Sequence, residues 1–228
     1  MERRTIVLGT YGANWDKAHS ACMIELQRDL GVEMLELNEC PHIDMARSVL
    51  ATAALDQGAD VAFFIDHDIL FDPGDVLTLA DQARQVKGIV GAAYAKRRMG
   101  AGIVGGFTPE TGEIVLGEGG ALYPAGGALG MGFTAIHRDA LDKVRVLAEL
   151  PLVSTLYGRC YPYFEKIAVD GYWMSEDASF CHLARLAGVG CFTDTRISVL
   201  HRGNHDFSVA DAALKHAEIP KTVRLRTC

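Results

Sequence analysis

Val61-Ala62-Phe63-Phe64-Ile65-Asp66-His67-Asp68-Ile69-Leu70 passes from a wholly apolar run into two carboxylates one residue apart, then turns apolar again. Phe71-Asp72-Pro73-Gly74 follows as a turn signal. A short apolar run bounded by turn residues reads as a buried strand. A strand that ends in Asp-x-Asp presents two acids at a sheet edge. Buried carboxylates without partners are costly, so the pair calls for a cation or for donors. A hard divalent metal is the simplest answer. Standing alone, the same motif is more often a solvated acidic turn, and the rest of the chain has to decide.

Upstream, Thr5 to Leu8 is a β-branched run closed by Gly9-Thr10-Tyr11-Gly12, a first strand and turn. It is not a dinucleotide fingerprint, because G-x-G-x-x-G is absent. Trp15 to Leu30 has Ala18, Cys22, Leu26 and Leu30 at helical spacing, and Gly31 suits a left-handed C-terminal residue. Val32 to Leu37 reads as a second strand. Asp44 is the expected N-cap of a helix from Met45 to about Gln57, broken by Gly58-Ala59-Asp60. Downstream, Asp72-Pro73-Gly74-Asp75 caps a helix from about Val76 to Gln85. Lys87 to Ala93 is a further buried strand, followed by the basic cluster Lys96-Arg97-Arg98. This strand–helix rhythm predicts a mostly parallel sheet with helices on both faces and ligands at the carboxyl ends of its strands. Gly9 to Gly12, Asp66/Asp68 and Lys96 to Arg98 all fall at such ends.

The second half is looser. Glycine is dense from Gly100 to Gly132, and Thr108-Pro109-Glu110-Thr111-Gly112 separates two β-like runs, Gly102 to Phe107 and Glu113 to Leu116. This predicts an antiparallel insert. Gly126 to Gly132 leads into a strand, Phe133 to His137, and a helix, Arg138 to Val146. Residues 151–173 are aromatic and irregular, and such side chains either pack a core or stack on a sugar face. Ser175-Glu176-Asp177 opens a helix that ends near Gly188. Phe192 to Leu200 is the last strand, stopping at His201-Arg202-Gly203. A short helix, Ser208 to Ala217, and a basic tail, Lys221 to Arg226, complete the chain.

The chain has 228 residues, about half apolar, with a formal charge of −7. That length fits one core, and the acidic balance gives no general attraction to nucleic acid or anionic lipid. No apolar run is long enough for a membrane helix, and the N-terminus has no room for a signal peptide before Ile6-Val7-Leu8. The six cysteines are scattered, without C-x-x-C, and read as free thiols of a cytoplasmic protein.

Five pieces, in order, resemble the GT-A class of nucleotide-sugar glycosyltransferases. They are Ala46-Arg47, Phe64-Ile65-Asp66-His67-Asp68, Gly130-Met131-Gly132-Phe133, Ser175-Glu176-Asp177 with Phe180, and Val199-Leu200-His201-Arg202-Gly203. The resemblance spans residues 5–207. It is nearest to compact bacterial and phage-encoded members, with some similarity to mannosylglycerate synthase. It implies one GT-A domain over 1–228: a nucleotide-binding half (1–99), an acceptor-side half (100–207) and a C-terminal helix and tail (208–228). The fold it implies is α/β and Rossmann-like, with a small antiparallel acceptor-side region. Expulsion of a diphosphate builds negative charge that a divalent metal, Mn2+ or Mg2+, stabilises.

By the resemblance, Asp68 and His201 bind the metal, and Asp66 binds the ribose or a metal-bound water. Asp177, beside Glu176, deprotonates the acceptor hydroxyl. Thr10, Tyr11 and Gly12 lie where relatives hold the base, with Tyr11 placed to stack on it and Glu36 or Asn38 to hydrogen-bond it. Arg47 and Arg202 are candidates for phosphate or carboxylate contacts. His67 points to the opposite face if the strand stays regular. The donor implied is a nucleoside-diphosphate sugar of UDP or GDP type, UDP first. The acceptor, whether glycan, protein or small molecule, is open, and so is assembly into a homo-oligomer. Three rivals share parts of the pattern. A phosphatase of the haloacid dehalogenase type also carries Asp-x-Asp, but after its first strand and with Thr or Val where Leu70 stands here. A nucleotidyltransferase would carry a basic Gly-rich loop after the first strand, which Gly9 to Asn14 lacks. A sugar-nucleotide-binding homologue without activity would keep the fold and lose the chemistry.

Overall fold

The computed structural model describes residues 4–11, 16–38, 40–97, 102–203, 205–213 and 223–225. Gly12, Arg98, residues 214–222 and residues 226–228 lie outside them. The front half runs β1 (Thr5–Tyr11), α1 (Lys17–Leu30), β2 (Glu33–Asn38), α2 (Ile43–Asp56), β3 (Val61–Asp66), β4 (Ile69–Leu70), α3 (Pro73–Val86), β5 (Ile89–Ala95). Then come β6 (Ile103–Val104), β7 (Ile114–Leu116), β8 (Leu122–Pro124), β9 (Phe133–His137) and α4 (Arg138–Leu147). Two hairpins follow, β10 (Val153–Thr155) with β11 (Gly158–Cys160), and β12 (Ala168–Val169) with β13 (Tyr172–Trp173). The chain closes with α5 (Glu176–Leu186), β14 (Cys191–Ser198), β15 (Leu200–Arg202), β16 (Asp206–Phe207), α6 (Val209–Ala213) and β17 (Val223–Leu225).

Local signals set the helix ends. Asp16 accepts from the Ala18 and His19 N–H groups at the start of α1, and Gly31 ends it at φ 63°. Asp72 caps α3 through the Gly74 N–H, with Pro73 at the first helical position. At α2 the expected cap moves. His42 occupies that position without a side-chain bond, and Asp44 sits inside the first turn, where a carboxylate still favours the helix dipole.

One eight-stranded sheet runs β2-β1-β3-β9-β5-β14-β8, with β6 added to β5. β1 pairs parallel with β2 and β3, and β5 with β14. β9 lies antiparallel between β3 and β5. The architecture is therefore α/β and Rossmann-like with a mostly parallel sheet, and strands from both halves of the chain interleave in it. β3 is buried on both sides, which is why it reads as an unbroken apolar run. Ala62 and Phe64 join a layer with Leu50, Leu141 and Phe180 of α2, α4 and α5. Val61, Phe63 and Ile65 join Leu26 and Leu79 of α1 and α3 on the other face.

The Gly-rich insert differs from its expected form. Its two β-like runs do not pair with each other. Ile103–Val104 pairs with Tyr94–Ala95 of β5, and Ile114–Leu116 pairs with Val223–Leu225. Between them Thr108 and Thr111 cap each other around a 3-10 turn at Pro109–Thr111. That turn does not aim its flanks back at each other as a tight hairpin turn would. The aromatic stretch divides as well. Tyr163 and Phe164 are fully buried, whereas Tyr172 and Trp173 are exposed.

Candidate functional site

The carboxyl ends of β1, β3 and β5 meet the amino end of antiparallel β9 at one sheet edge. Thr10 is in register with Asp66, and Ile65 with Phe133. Here the two acids of Asp-x-Asp part company. β3 ends at Asp66, His67-Asp68 forms a turn, and β4 reverses to pair antiparallel with β15. The alternation that would set both acids on one face, with His67 opposite, therefore stops at Asp66.

Asp66 turns toward α2. Its two carboxylate oxygens each accept from Arg47 Nη2 at 3.1 Å. The other Arg47 nitrogen, Nη1, reaches Asp177 and lies 3.2 Å from Glu176 Oε1. Glu176 and Asp177 occupy the first turn of α5, which Ser175 caps. One guanidinium thus ties the key strand to the α5 acids. Burial opposes the Arg47 charge, yet Asp66, Asp177 and Glu176 together raise its pKa above the ordinary value. Asp177 is pushed up to about 6, mainly by burial, then by Glu176 and Asp66; Arg47 and the Met131 N–H pull the other way. That N–H donates to Asp177 Oδ2 at 3.2 Å.

Asp68 turns toward β15. The pairing of β4 with β15 sets the Arg202 N–H 2.6 Å from the Asp68 carbonyl and His201 Nε2 3.4 Å from the Asp68 carboxylate. Arg97 closes on the same carboxylate at 2.8 Å. Burial acts to raise the Asp68 pKa, but His201 and Arg97 outweigh it and hold it below the ordinary value. His201 Nδ1 lies 2.8 Å from the Ala95 carbonyl, which accepts no proton unless Nδ1 carries one. Nε2 is the ring nitrogen left to face the Asp68 carboxylate, where it can donate a proton to that carboxylate or share a cation with it. A carbonyl on the far ring nitrogen is how a metal-binding imidazole is oriented.

Asp66, Asp68 and His201 do not converge. Among the described residues no group of three His, Cys, Asp or Glu side chains is placed to hold a metal ion by itself. Asp68 and His201 form a pair, and Asp66 is occupied by Arg47. Arg202 bonds Asp16 at 2.7 Å and approaches Asp206 at 3.6 Å, away from the acids at the sheet edge. Thr10, Tyr11 and Glu36 stand at the ends of β1 and β2, with Gly9 paired to Glu36 and Tyr11 to Asn38. Gly12 lies outside the described residues.

Tyr94 escaped sequence reasoning because it sits in a buried strand that looks uniformly apolar. Its hydroxyl accepts from the Gly132 N–H at 3.2 Å, and its ring meets His201 edge-on at 5.4 Å. It therefore joins the two ends of the site. It also explains the Gly130-Met131-Gly132 spelling. A Cβ on Gly132 would lie 2.9 Å from the Tyr94 hydroxyl and 3.1 Å from Asp66 Oδ2. One on Gly130 would strike the Tyr94 hydroxyl and come within 2.5 Å of Val104. Gly130→Ala is expected to cost about 1–3 kcal/mol by overpacking. Urea midpoints test this, and a change under about 0.5 kcal/mol would mean the loop yields freely.

Together these features define a Rossmann-like α/β protein with an acid- and imidazole-bearing edge at its strand termini. No protein-family model and no curated protein matches the chain. Among solved structures it is similar to A197 from STIV, whose crystal structure superposes with a TM-score of 0.51. The match has 15% identity and covers 88% of this chain and 86% of that one. At that identity the likeness concerns the fold.

Proposed function

We propose that this chain is a GT-A-type, metal-dependent glycosyltransferase that moves a sugar from a nucleoside-diphosphate sugar to a hydroxyl acceptor. The observation that carries the proposal is the division of the acidic edge into two ends. At one end Asp68 and the oriented His201 lie 3.4 Å apart with Arg97 beside them. At the other, Asp177 has a pKa near 6 and hydrogen bonds that fix its orientation.

Asp68 and His201 would hold Mn2+ or Mg2+, with phosphate oxygens completing the shell, as hard cations bound by few protein ligands require. When bound, the metal neutralises charge on the departing diphosphate. Arg97 adds a guanidinium suited to phosphate. Asp177 accepts the proton of the acceptor hydroxyl, for which a pKa just below working pH is suited. Arg47 keeps Asp177 and Asp66 in fixed relation across the gap between helix and strand. Thr10, Tyr11 and Glu36 belong on the base side by their place at the ends of β1 and β2.

The test is thermal unfolding with UDP, GDP, CDP, dTDP and their sugars, each with Mn2+ or EDTA. A ligand at a hundredfold excess over its dissociation constant adds about 2.7 kcal/mol of apparent stability. A Mn2+-dependent shift with one base, accompanied by donor hydrolysis, is the expected result, with UDP the first candidate. Asp68→Ala and His201→Ala are expected to remove the Mn2+-dependent part of the shift. Retention of it in both variants would mean that this pair is not the cation end. Binding without hydrolysis or transfer would make the chain a sugar-nucleotide-binding module.

A further inference from the structure

A cleft of about 620 Å³ opens beside the amino end of α2, in the size range of small-molecule sites. Its walls are Met45, Leu150, Pro151, Val153 and Pro162. The Asp44 and Glu165 carboxylates supply oxygen acceptors, and His42 stands at the same end; the Ser48 hydroxyl, also in the wall, is already held by the Asp44 carbonyl and the Phe164 N–H. No Lys or Arg lines it among the described residues.

The cleft adjoins the ion cluster without sharing its residues. Asp44, Arg47 and Ser48 are spaced i, i+3 and i+4 on α2, hence neighbours on its surface. Segment 161–167 runs from α2 to α5. The Tyr161 N–H bonds Thr52 Oγ1 at 3.0 Å, Phe164 N–H bonds Ser48 Oγ at 3.2 Å, and Ile167 N–H bonds Ser179 Oγ at 3.1 Å. Glu165 lies on this segment between the helix that carries Arg47 and the helix that carries Glu176 and Asp177.

The chemistry of the lining selects its ligand. The Asp44 carboxylate accepts the Met45 N–H, and neither Asp44 nor Glu165 forms an ion pair among the described residues. Carboxylates without cations repel an anion and accept hydrogen bonds from hydroxyls. Val153 and Thr155, on one face of β10, carry the cleft wall onto the β10–β11 hairpin, where Val153 is exposed.

We infer that this cleft binds an uncharged amphipathic alcohol, with its hydroxyl-bearing head toward Asp44 and Glu165 and its apolar body along Leu150, Pro151 and Val153. Resting on the transferase proposal above, it is the acceptor subsite, and an apolar aglycone rather than a phosphorylated acceptor is the class it admits.

Calorimetric titration of n-octyl glucoside below its micelle concentration is the test. Saturable binding is expected, with octyl sulfate at least tenfold weaker. Val153→Trp fills the mouth from an exposed hairpin and is expected to weaken octyl glucoside at least tenfold, leaving the Mn2+-dependent nucleotide shift unchanged. The Asp44→Asn, Glu165→Gln double variant is expected to narrow the preference over octyl sulfate. No saturable binding, equal binding of the two amphiphiles, or indifference to Val153→Trp overturns the cleft assignment, even in a chain that binds nucleotide. Binding with this variant sensitivity in a chain that binds no nucleotide keeps the cleft and removes the transferase proposal.

Discussion

Asp177→Asn is expected to lower sugar transfer by about 10²- to 10⁴-fold, the usual contribution of a positioned general base, while leaving Mn2+-dependent donor binding intact. Arg47 and the Met131 N–H reach different carboxylate oxygens, so the amide keeps one of the two bonds and loses the other together with the basic lone pair. Donor binding, read at the Asp68 end, reports whether the fold tolerates this. The pH profile separates the lost bond from the lost base. Asp177 has a pKa near 6, so wild-type transfer should reach a plateau above that value and fall about tenfold per pH unit below it. Residual transfer by the Asn variant should lack this limb.

The stability sign is opposite to that of an ordinary paired carboxylate. A native pKa of about 6, above the usual 3.8, means that the folded chain holds this proton more tightly than the unfolded chain. The stability it contributes is present at low pH and declines as pH rises from about 4 through 6. The Asn variant should therefore compare more favourably with wild type at pH 8 than at pH 4 in urea titrations. Loss of donor binding in the variant would remove Asp177 from the role of base.

The sheet was largely legible because its signals are local. Phe133 to His137, the Gly31 helix end and the Asp72 cap were each read within a residue or two, since turn chemistry and apolar periodicity act over short distances. The place of Phe133–His137 between β3 and β5 was not legible. Strand order depends on contacts far apart in sequence, and an antiparallel strand buried on both faces has the composition of a parallel one.

The site divides in the same way. Asp66, Asp68, Glu176, Asp177 and His201 stood out as acids or imidazole at element ends. Which of them touch was decided by the Asp68 turn and by β4 pairing with β15, a two-residue strand that no pattern announces. Arg97 was visible only as part of a basic cluster. Its 2.8 Å approach to Asp68 depends on β5 and the β3–β4 turn ending at one edge. Arg202 looked like an equal partner of Arg47, but its side chain leaves β15 toward Asp16.

Arg47→Met is expected to be the most destabilising substitution at the site. The Arg47 side chain is 4% exposed, and the three carboxylates it bridges are only 17–27% exposed. Removing one partner of a buried ion pair costs about 3–5 kcal/mol, because the other charge is left without compensation. Here Asp66, Glu176 and Asp177 would face one another with no cation between them, and access to water makes the lower end of that range the expected value at pH 7.5. The loss should shrink as pH falls toward about 6, the native Asp177 value, and level off below it. Without Arg47 the Asp177 pKa rises further, so protonation relieves the repulsion in the folded state. Arg47→Lys should fall between the two, since an ammonium restores the charge but cannot bridge α2, β3 and α5 with a planar fork. Urea midpoints from pH 4.5 to 8 measure all three chains. A deficit that stays constant with pH would assign the cost to lost packing of the Arg47 stem, and a deficit below about 1 kcal/mol at pH 7.5 would show that the acids are held apart without it.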